Sequence, residues 1–151
     1  MRPAIPYLLP AMLMAFGSAH AQQAPVHPVS PPPAPVAASA SQVANCGGVA
    51  NKTITAMNKG DFDGARQAFD PRLKATSDKL QQAWGSLTQK YGKARTIGDA
   101  NQGQMVRGYT VVLVPMQFEK GRVGAEAACS ADGQLEMLRF GLMWSSAASK
   151  S

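Results

Sequence analysis

The sequence predicts an α+β fold in which N-terminal helices pack on a curved sheet of four antiparallel strands arranged as a meander. Helix-like spacing of apolar residues is confined to the part of the chain before Gly92, and strand-like runs separated by short turns follow it. The most β-prone run is residues 109–114, in which β-branched and aromatic side chains favour a strand over a helix. We therefore expect residues 109–114 to lie in the central strand.

The N-terminus has the pattern of a secretory signal peptide over residues 1–21. Arg2 precedes an apolar stretch, and residues 19–21, Ala-His-Ala, match the small residues found before a cleavage site. The alternative is an uncleaved membrane anchor, but the apolar stretch is shorter than the about 20 residues that a spanning helix needs. We expect a periplasmic or secreted protein with no stable membrane insertion after cleavage.

Proline and alanine dominate residues 22–41, which predicts an extended, disordered linker. A proline-rich ligand for a partner protein is the alternative. One folded α+β domain is then expected over residues 42–144. A small polar tail over residues 145–151 is expected to be disordered.

Three helices are predicted at the start of this domain. The first covers residues 42–58, and its Gly47-Gly48 pair either permits a close approach to the sheet or marks a later helix start. A short second helix follows, and the third covers residues 78–91 with an apolar stripe formed by Leu80, Ala83, Trp84, Leu87 and Tyr91. The residue types that favour N-caps place these at Ser41, Asp61 and Ser77.

Four strands are predicted after the helices, at residues 93–100, 106–118, 122–129 and 134–144. Short connections containing glycine imply antiparallel neighbours. Apolar side chains occupy both parities of residues 109–114, so both faces of the central strand are expected to be covered. Pro115 within this strand predicts a bulge or a bend.

The charge of the chain argues against one class of partner. Net charge is +6 at pH 7, and the basic residues are dispersed along the sequence. A nucleic-acid interface calls for a concentrated basic stripe, so no nucleic-acid partner is predicted. Ordinary solvated surface charge is the preferred interpretation, and a weak attraction to anionic membrane or wall surfaces is the alternative.

The chain has two cysteines, Cys46 and Cys129. An even cysteine count in an exported protein predicts a disulfide, which would here close a loop of more than 80 residues. Two buried free thiols are the alternative. A Cys-x-x-Cys pair is absent from the sequence, so thiol redox chemistry of that kind is not predicted.

Several groups of residues resemble one known family. They are Gly60-Asp61-Phe62-x-x-Ala65, Phe69-Asp70-x-x-Leu73-Lys74, Leu80-x-x-x-Trp84-x-x-Leu87 with Tyr91-Gly92, and Asp132-Gly133-Gln134-Leu135-x-x-Leu138-x-Phe140. Together they resemble the pattern of domain-of-unknown-function family 3887 over about residues 45–143. The resemblance implies a cystatin-like or nuclear-transport-factor-2-like α+β fold, and it brings no catalytic residues with it.

Catalytic chemistry has little support in the residues present. His20 belongs to the predicted leader and His27 to the linker, so the folded domain lacks Ser–His and Cys–His nucleophilic systems and histidine zinc ligands. No catalytic, cofactor or metal residues are therefore predicted. Asp99 and Glu126 are the two carboxylates in predicted strands that a pocket enzyme would use.

The expected function is a non-enzymatic binding domain whose partner is another envelope protein, one version being an inhibitor or immunity-type protein. The alternatives are a carrier of a small apolar ligand and a small enzyme with a pocket carboxylate. The side chains considered for a binding surface are Trp84, Tyr91, Arg107, Tyr109 and Arg139. Arg139 is expected to face solvent because the residues on either side of it are apolar.

Overall fold

A computed structural model of the chain describes residues 34–143. The predicted leader, the linker as far as Pro33, and the predicted tail lie outside the described residues. Three α-helices are present in the described part: α1 is Ala40–Asn58, α2 is Phe62–Arg66 and α3 is Ser77–Tyr91. A single turn of 3-10 helix, Pro71–Leu73, connects α2 to α3.

The strands form one antiparallel sheet. They are β1 Val36–Ala37, β2 Ala94–Ile97, β3 Gly103–Val106, β4 Tyr109–Phe118, β5 Gly121–Cys129 and β6 Leu135–Leu142. The α+β class is confirmed, but the prediction of four strands is wrong because the sheet has six. The additional strands are β1, which lies in the predicted linker, and β3, which precedes the predicted start of the central strand.

The two long helices begin one or two residues earlier than predicted because different side chains cap them. Ser39 rather than Ser41 caps α1: its hydroxyl accepts from the Gln42 N–H at 3.3 Å, and the Gln42 side chain accepts from the Ser39 N–H at 2.8 Å. This reciprocal pair is a capping box. Thr76 rather than Ser77 caps α3, and its hydroxyl accepts from the Lys79 N–H at 3.3 Å.

Strand β4 is the centre of the sheet, with β5 paired along its whole length on one edge. Its other edge is shared by two strands: β3 lies opposite the first half of β4, and β2 lies opposite residues 116–118. The sheet order is β1-β3-β4-β5-β6, with β2 beside β4. Pairing of β4 with β5 continues through Pro115, so the bulge predicted there is wrong on that edge; the register shift occurs in the β2 pairing instead.

A tight hairpin that the sequence did not predict separates β3 from β4. Val106 pairs with Tyr109, and the two residues between them, Arg107 and Gly108, have φ angles of 51° and 85°. Two consecutive positive φ values are typical of the type I′ turn that joins antiparallel strands. The expected continuous strand from Val106 to Phe118 is therefore wrong at its start.

Side chains along β4 alternate strictly between buried and accessible positions. The even-numbered residues are buried on the face that packs against the helices: Thr110, Val112, Val114, Met116 and Phe118. The odd-numbered residues point to the opposite face, which we call the open face. The expectation that both faces of this strand are covered is therefore wrong within the described residues.

Aromatic contacts join α3 to the centre of the core. The Trp84 ring lies 5.8 Å from that of Phe118 and 6.0 Å from that of Phe140, and Tyr91 lies 6.2 Å from Phe118. Trp84 and Phe118 are buried, whereas Tyr91 is partly buried. Most of the predicted stripe of α3 packs on the sheet in this way, but Ala83 is exposed.

The two cysteines form a disulfide that joins α1 to the end of β5, as predicted. The sulfur atoms of Cys46 and Cys129 are 2.02 Å apart, and the residues are separated by 83 positions in the sequence. Both residues are 2% exposed. The bridge therefore fixes the helical layer to the sheet inside the core.

A buried carboxylate makes a second connection between the layers. Asp70 accepts hydrogen bonds from the Arg72 N–H at 2.7 Å and from its guanidinium at 2.7 and 2.9 Å. The same guanidinium reaches Glu136 of β6 at 3.1 Å. In the backbone, the Asp70 N–H donates to the Leu135 carbonyl at 2.9 Å. The segment after α2 is therefore bonded to β6 by both side chains and backbone.

Removing the disulfide should lower stability substantially. The chain-entropy relation gives about 4–5 kcal/mol for a loop of this length, as an upper value for the double variant Cys46→Ala/Cys129→Ala. Urea denaturation of the variant and of wild-type protein measures the difference. Reduced wild type is the control and should unfold near the variant. A loss below about 1 kcal/mol in both samples would show that the bridge constrains little.

The adjacent glycines of α1 should respond to alanine in opposite directions. A Cβ on Gly47 would lie 2.9 Å from the Cβ of Ala100, whereas a Cβ on Gly48 meets nothing within 4 Å. Gly48→Ala should stabilise the protein by about 1 kcal/mol, since alanine is the better helix former. Gly47→Ala should destabilise it, because the loop carrying Ala100 must move. Thermal denaturation of both variants checks the sign, and equal shifts would contradict the close approach.

The acid stability of the protein should depend on Asp70. Hydrogen bonds from the Arg72 side chain and then from its backbone lower the pKa of Asp70 from 3.8 to about 2. A folded pKa below the unfolded value stabilises the protein above the unfolded value, and this contribution is lost as pH falls through the folded one. Asp70→Asn should therefore reduce stability at neutral pH and flatten its decline between about pH 4 and 2.

Arg72→Gln is the matched control for this experiment. It removes the guanidinium but keeps the bond from the backbone N–H to Asp70, so its decline in acid should be intermediate. Urea midpoints measured across this pH range rank the three proteins. A decline for Asp70→Asn as steep as that of wild type would show that another group controls acid unfolding.

Candidate functional site

A cleft of about 900 Å³ opens where the sheet is interrupted beside β4. Leu113 and Val114 lie between the part of β4 that pairs with β3 and the part that pairs with β2. The chain between β2 and β3 passes around this gap. The cleft is lined by residues from segments 35–40, 43–44 and 100–104, from 111–113 of β4, and by Glu126 of β5.

Two glycines shape the loop that borders the cleft. The Gly98 N–H donates to the Pro115 carbonyl at 2.7 Å, and a Cβ on Gly98 would lie 2.9 Å from the Pro115 ring. A Cβ on Gly103 would lie 3.0 Å from both the Val111 carbonyl oxygen and the Val43 side chain. The loop leaves β4 and returns to it only because these positions have no side chain. Glycine at both ends therefore allows the loop to lie close to β4 on either side of the interruption.

The first segment of the cleft wall comes from the predicted linker. Val36 pairs with Met105 of β3, and the Ala38 N–H donates to the Gly103 carbonyl at 3.0 Å. Both residues of β1 are exposed. The linker prediction is therefore wrong at its C-terminal end, where the chain forms an edge strand and, from Ala40, the first turn of α1.

The structure separates the two carboxylates considered for catalysis. Glu126 lines the cleft and accepts from the Arg139 guanidinium at 2.8 Å, with 41% of its side chain exposed. Asp99 lies in the loop after β2 rather than in a strand, is exposed, and meets the Asn51 amide at 3.5 Å. Only Glu126 therefore lines the cleft, where Arg139 already pairs with it.

The aromatic and arginine candidates divide between core and surface. Trp84 and Tyr91 belong to the packing of α3 on the sheet. Tyr109 is 39% exposed on the open face, Arg107 is exposed in the adjoining hairpin, and Arg139 is exposed as expected. Of the five side chains considered for binding, these three remain available to a partner.

The open face also presents apolar side chains, although both faces of residues 109–114 were expected to be covered. Val106 and Leu113 are 42% and 45% exposed. With Tyr109 and the partly buried Val111, they form what we call the open-face stripe. Cross-strand pairing of Val106 with Tyr109 places both on the same side of the sheet. Recognition of the Arg107-Gly108 hairpin would have indicated that Val106 and Tyr109 share one face of the sheet.

Two neighbouring acidic residues, Asp61 and Asp63, have structural roles. Asp61 caps α2 by accepting from the Gly64 N–H at 2.8 Å. Asp63 accepts from the Ser77 hydroxyl at 2.6 Å and pairs with Arg66 at 3.3 Å, and the Ser77 bond is the main cause of its lowered pKa. In residues 34–143 no three His, Cys, Asp or Glu side chains are grouped as metal ligands would be.

With the fold and the cleft established, comparison with known families gives one result. The family model described as "Protein of unknown function (DUF3887)" matches residues 50–138. The chain belongs to this family. The resemblance to DUF3887 expected from the motifs is therefore confirmed, whereas the match does not establish a likeness to nuclear transport factor 2. Comparisons with curated proteins and with solved structures gave no match.

The DUF3887 match covers only part of the features described above. It begins within α1 and ends within β6, so it includes Cys129 and the open-face stripe but not Cys46 or the segment containing β1. None of the helices in the described part of the chain is long and apolar enough to cross a membrane. The family description itself assigns no activity to the cleft.

Proposed function

We propose that this DUF3887 protein is an exported, non-enzymatic binding domain whose open sheet face contacts another envelope protein. The single observation that carries the proposal is the open-face stripe. A solvated sheet face normally alternates to polar residues, yet Val106, Tyr109, Val111 and Leu113 are apolar. An accessible apolar patch rimmed by polar groups is typical of a protein interface.

The rim of the stripe has the polar character that such an interface requires. Gln104 lies beside Val111 on β3, and the Glu126–Arg139 ion pair lies beside Leu113 on β5 and β6. Tyrosine and arginine are enriched at protein interfaces. The stripe supplies apolar anchors, and the ion pair supplies groups that fix orientation.

The stripe can anchor a complex, but the surrounding surface must supply the rest of the buried area. Full burial of a large apolar side chain contributes about 1.5–3 kcal/mol, and the stripe residues are already partly covered. A stable interface buries on the order of 1,200–2,000 Å² in total. The adjoining cleft rim and the exposed β1 extend the stripe toward that area. An inhibitor or immunity-type protein that covers its partner's surface would use a face of this kind.

The proposed location rests on the disulfide and on the predicted leader. Disulfides such as Cys46–Cys129 persist in oxidising compartments, which include the periplasm and the extracellular medium. The leader predicted from residues 1–21 would direct the chain there. A partner in the same compartment is therefore the natural candidate.

A second candidate function is a small-ligand carrier or a small pocket enzyme of the same fold. It is favoured by the cleft, whose volume of about 900 Å³ lies in the range of ligand sites and whose wall includes Glu126. The Glu126 carboxylate already contacts the Arg139 guanidinium at 2.8 Å, so a ligand in the cleft would have to share or displace that ion pair. Retention of a small apolar molecule through purification, identified by mass spectrometry, would favour the carrier.

The proposed interface can be tested by placing a photocrosslinking residue at matched positions. Leu113 on the open face and Leu73 in the 3-10 turn Pro71–Leu73 are 45% and 44% exposed. A crosslinker at Leu113 in intact cells should give a discrete adduct with one envelope protein, and a crosslinker at Leu73 should not. A second variant, Tyr109→Ser, should weaken the Leu113 adduct without changing the melting temperature. Equal adducts at both positions, or none at Leu113, would argue against the proposal.

A further inference from the structure

Folding brings together five basic residues that are dispersed in the sequence. The end of α3 and the start of β2 meet the β4–β5 turn: the Lys120 N–H donates to the Tyr91 carbonyl at 2.9 Å, and the Glu119 N–H donates to the Lys93 carbonyl at 3.1 Å. We call this region the basic end, formed by the exposed side chains of Lys90, Lys93, Arg95, Lys120 and Arg122.

The basic end holds all the excess charge of the described domain. Residues 34–143 contain thirteen basic and nine acidic side chains, and segments 90–98 and 117–124 contain five basic and one acidic, Glu119. The rest of the domain therefore has eight of each and no net charge. The excess of four positive charges therefore lies within these two segments.

Most of this charge is uncompensated locally. Glu119 pairs with Arg95 at 3.5 Å and also accepts from the Lys93 N–H at 3.2 Å. The other four basic side chains make no ion pair within the described residues. Lys90 lies 5.2 Å above the Tyr91 ring, a contact that leaves its charge intact. Four cationic groups are therefore available to an anionic partner.

We propose that the basic end binds peripherally to the anionic headgroups of a phospholipid membrane. Five long, exposed side chains from adjoining segments attract an anionic surface to this end, and the remainder of the domain, with equal numbers of basic and acidic side chains, adds no net charge that opposes the attraction. A protein partner would need an apolar anchor in the middle of its contact area, and the basic end offers none. Attraction to an anionic bilayer contributes about a fivefold increase in partitioning for each basic residue near its surface.

This site is distinct from the open-face stripe and is compatible with it. Gln117, which pairs with Arg122, is four residues along β4 from Leu113, the nearest residue of the stripe. At the rise of a β-strand this separation is about 13 Å. A domain resting on a membrane by its basic end therefore leaves the stripe accessible to an envelope protein, so the two proposals succeed or fail separately.

The test compares two triple variants of the chain from residue 22, because the apolar leader would itself enter membranes. The basic-end variant is Lys93→Gln/Lys120→Gln/Arg122→Gln. The control is Lys52→Gln/Lys59→Gln/Lys79→Gln, which removes the same charge from exposed positions elsewhere. Binding is measured by sedimentation with phosphatidylcholine vesicles containing phosphatidylglycerol, and with phosphatidylcholine alone. Melting temperatures confirm that each variant is folded.

Wild type should bind the anionic vesicles at low salt, and the basic-end variant should bind about a hundredfold more weakly. The control should lose less than about fivefold. Binding should disappear at about 1 M salt, where the screening length is about 3 Å. Equal losses in the two variants, equal binding to both vesicle types, or tighter binding to polyglutamate than to vesicles would each overturn the proposal.

Discussion

The burial of one face of β4 against the helices is the constraint on which the rest of the structure depends. Val112, Val114, Met116 and Phe118 are at most 2% exposed, and they form the floor on which α1 and α3 pack. Because side chains alternate along a strand, fixing these residues inward fixes their neighbours outward. The open-face stripe is therefore a geometric consequence of the core, made distinctive by the apolar residues that occupy it.

A disulfide and a group of polar contacts hold the helical layer against the buried face of the sheet. The Cys46–Cys129 bridge ties α1 to the end of β5, and the Asp70–Arg72 group ties the segment after α2 to β6. A domain of about 100 residues has a modest core, so such connections form a large share of its net stability. On the cleft side of the sheet, the Asn51 amide of α1 donates to the Gly98 carbonyl at 2.9 Å, and β1 adds two exposed residues.

Local sequence patterns predicted the helices and most strands. They did not predict which face of the sheet is buried and which is exposed. Helix periodicity located α1 and α3 to within two residues, although Ser39 and Thr76 rather than the predicted residues cap them, and the cysteine count predicted the disulfide. The hairpin at Arg107-Gly108 was missed because arginine is not one of the residues that usually signal a type I′ turn. Without that turn, the apolar residues on the open face were indistinguishable from a second buried face.

The candidate site was predicted less well because it depends on contacts between distant parts of the chain. Glu126 was selected from the sequence and does line the cleft, but its partner Arg139 is 13 residues away and became apparent only from strand pairing. Loop 98–103 borders the cleft because Gly98 and Gly103 contact β4, which no local pattern indicates. The dispersed lysines and arginines likewise gained meaning only after folding placed five of them together.

Apolar and charged surfaces lie at different positions along β4, so the two ends of the domain differ in character. Its first half carries the open-face stripe and the cleft, and its far end meets the turn that contributes Lys120 and Arg122. A neutral domain with one cationic end takes a preferred orientation in any electric field from an anionic surface. Under the two proposals, a domain oriented at a membrane would pay a lower entropic cost when its stripe associates with a partner. The long strand at the centre of the core therefore carries both the proposed protein-binding stripe and, at its far end, part of the proposed membrane-binding surface.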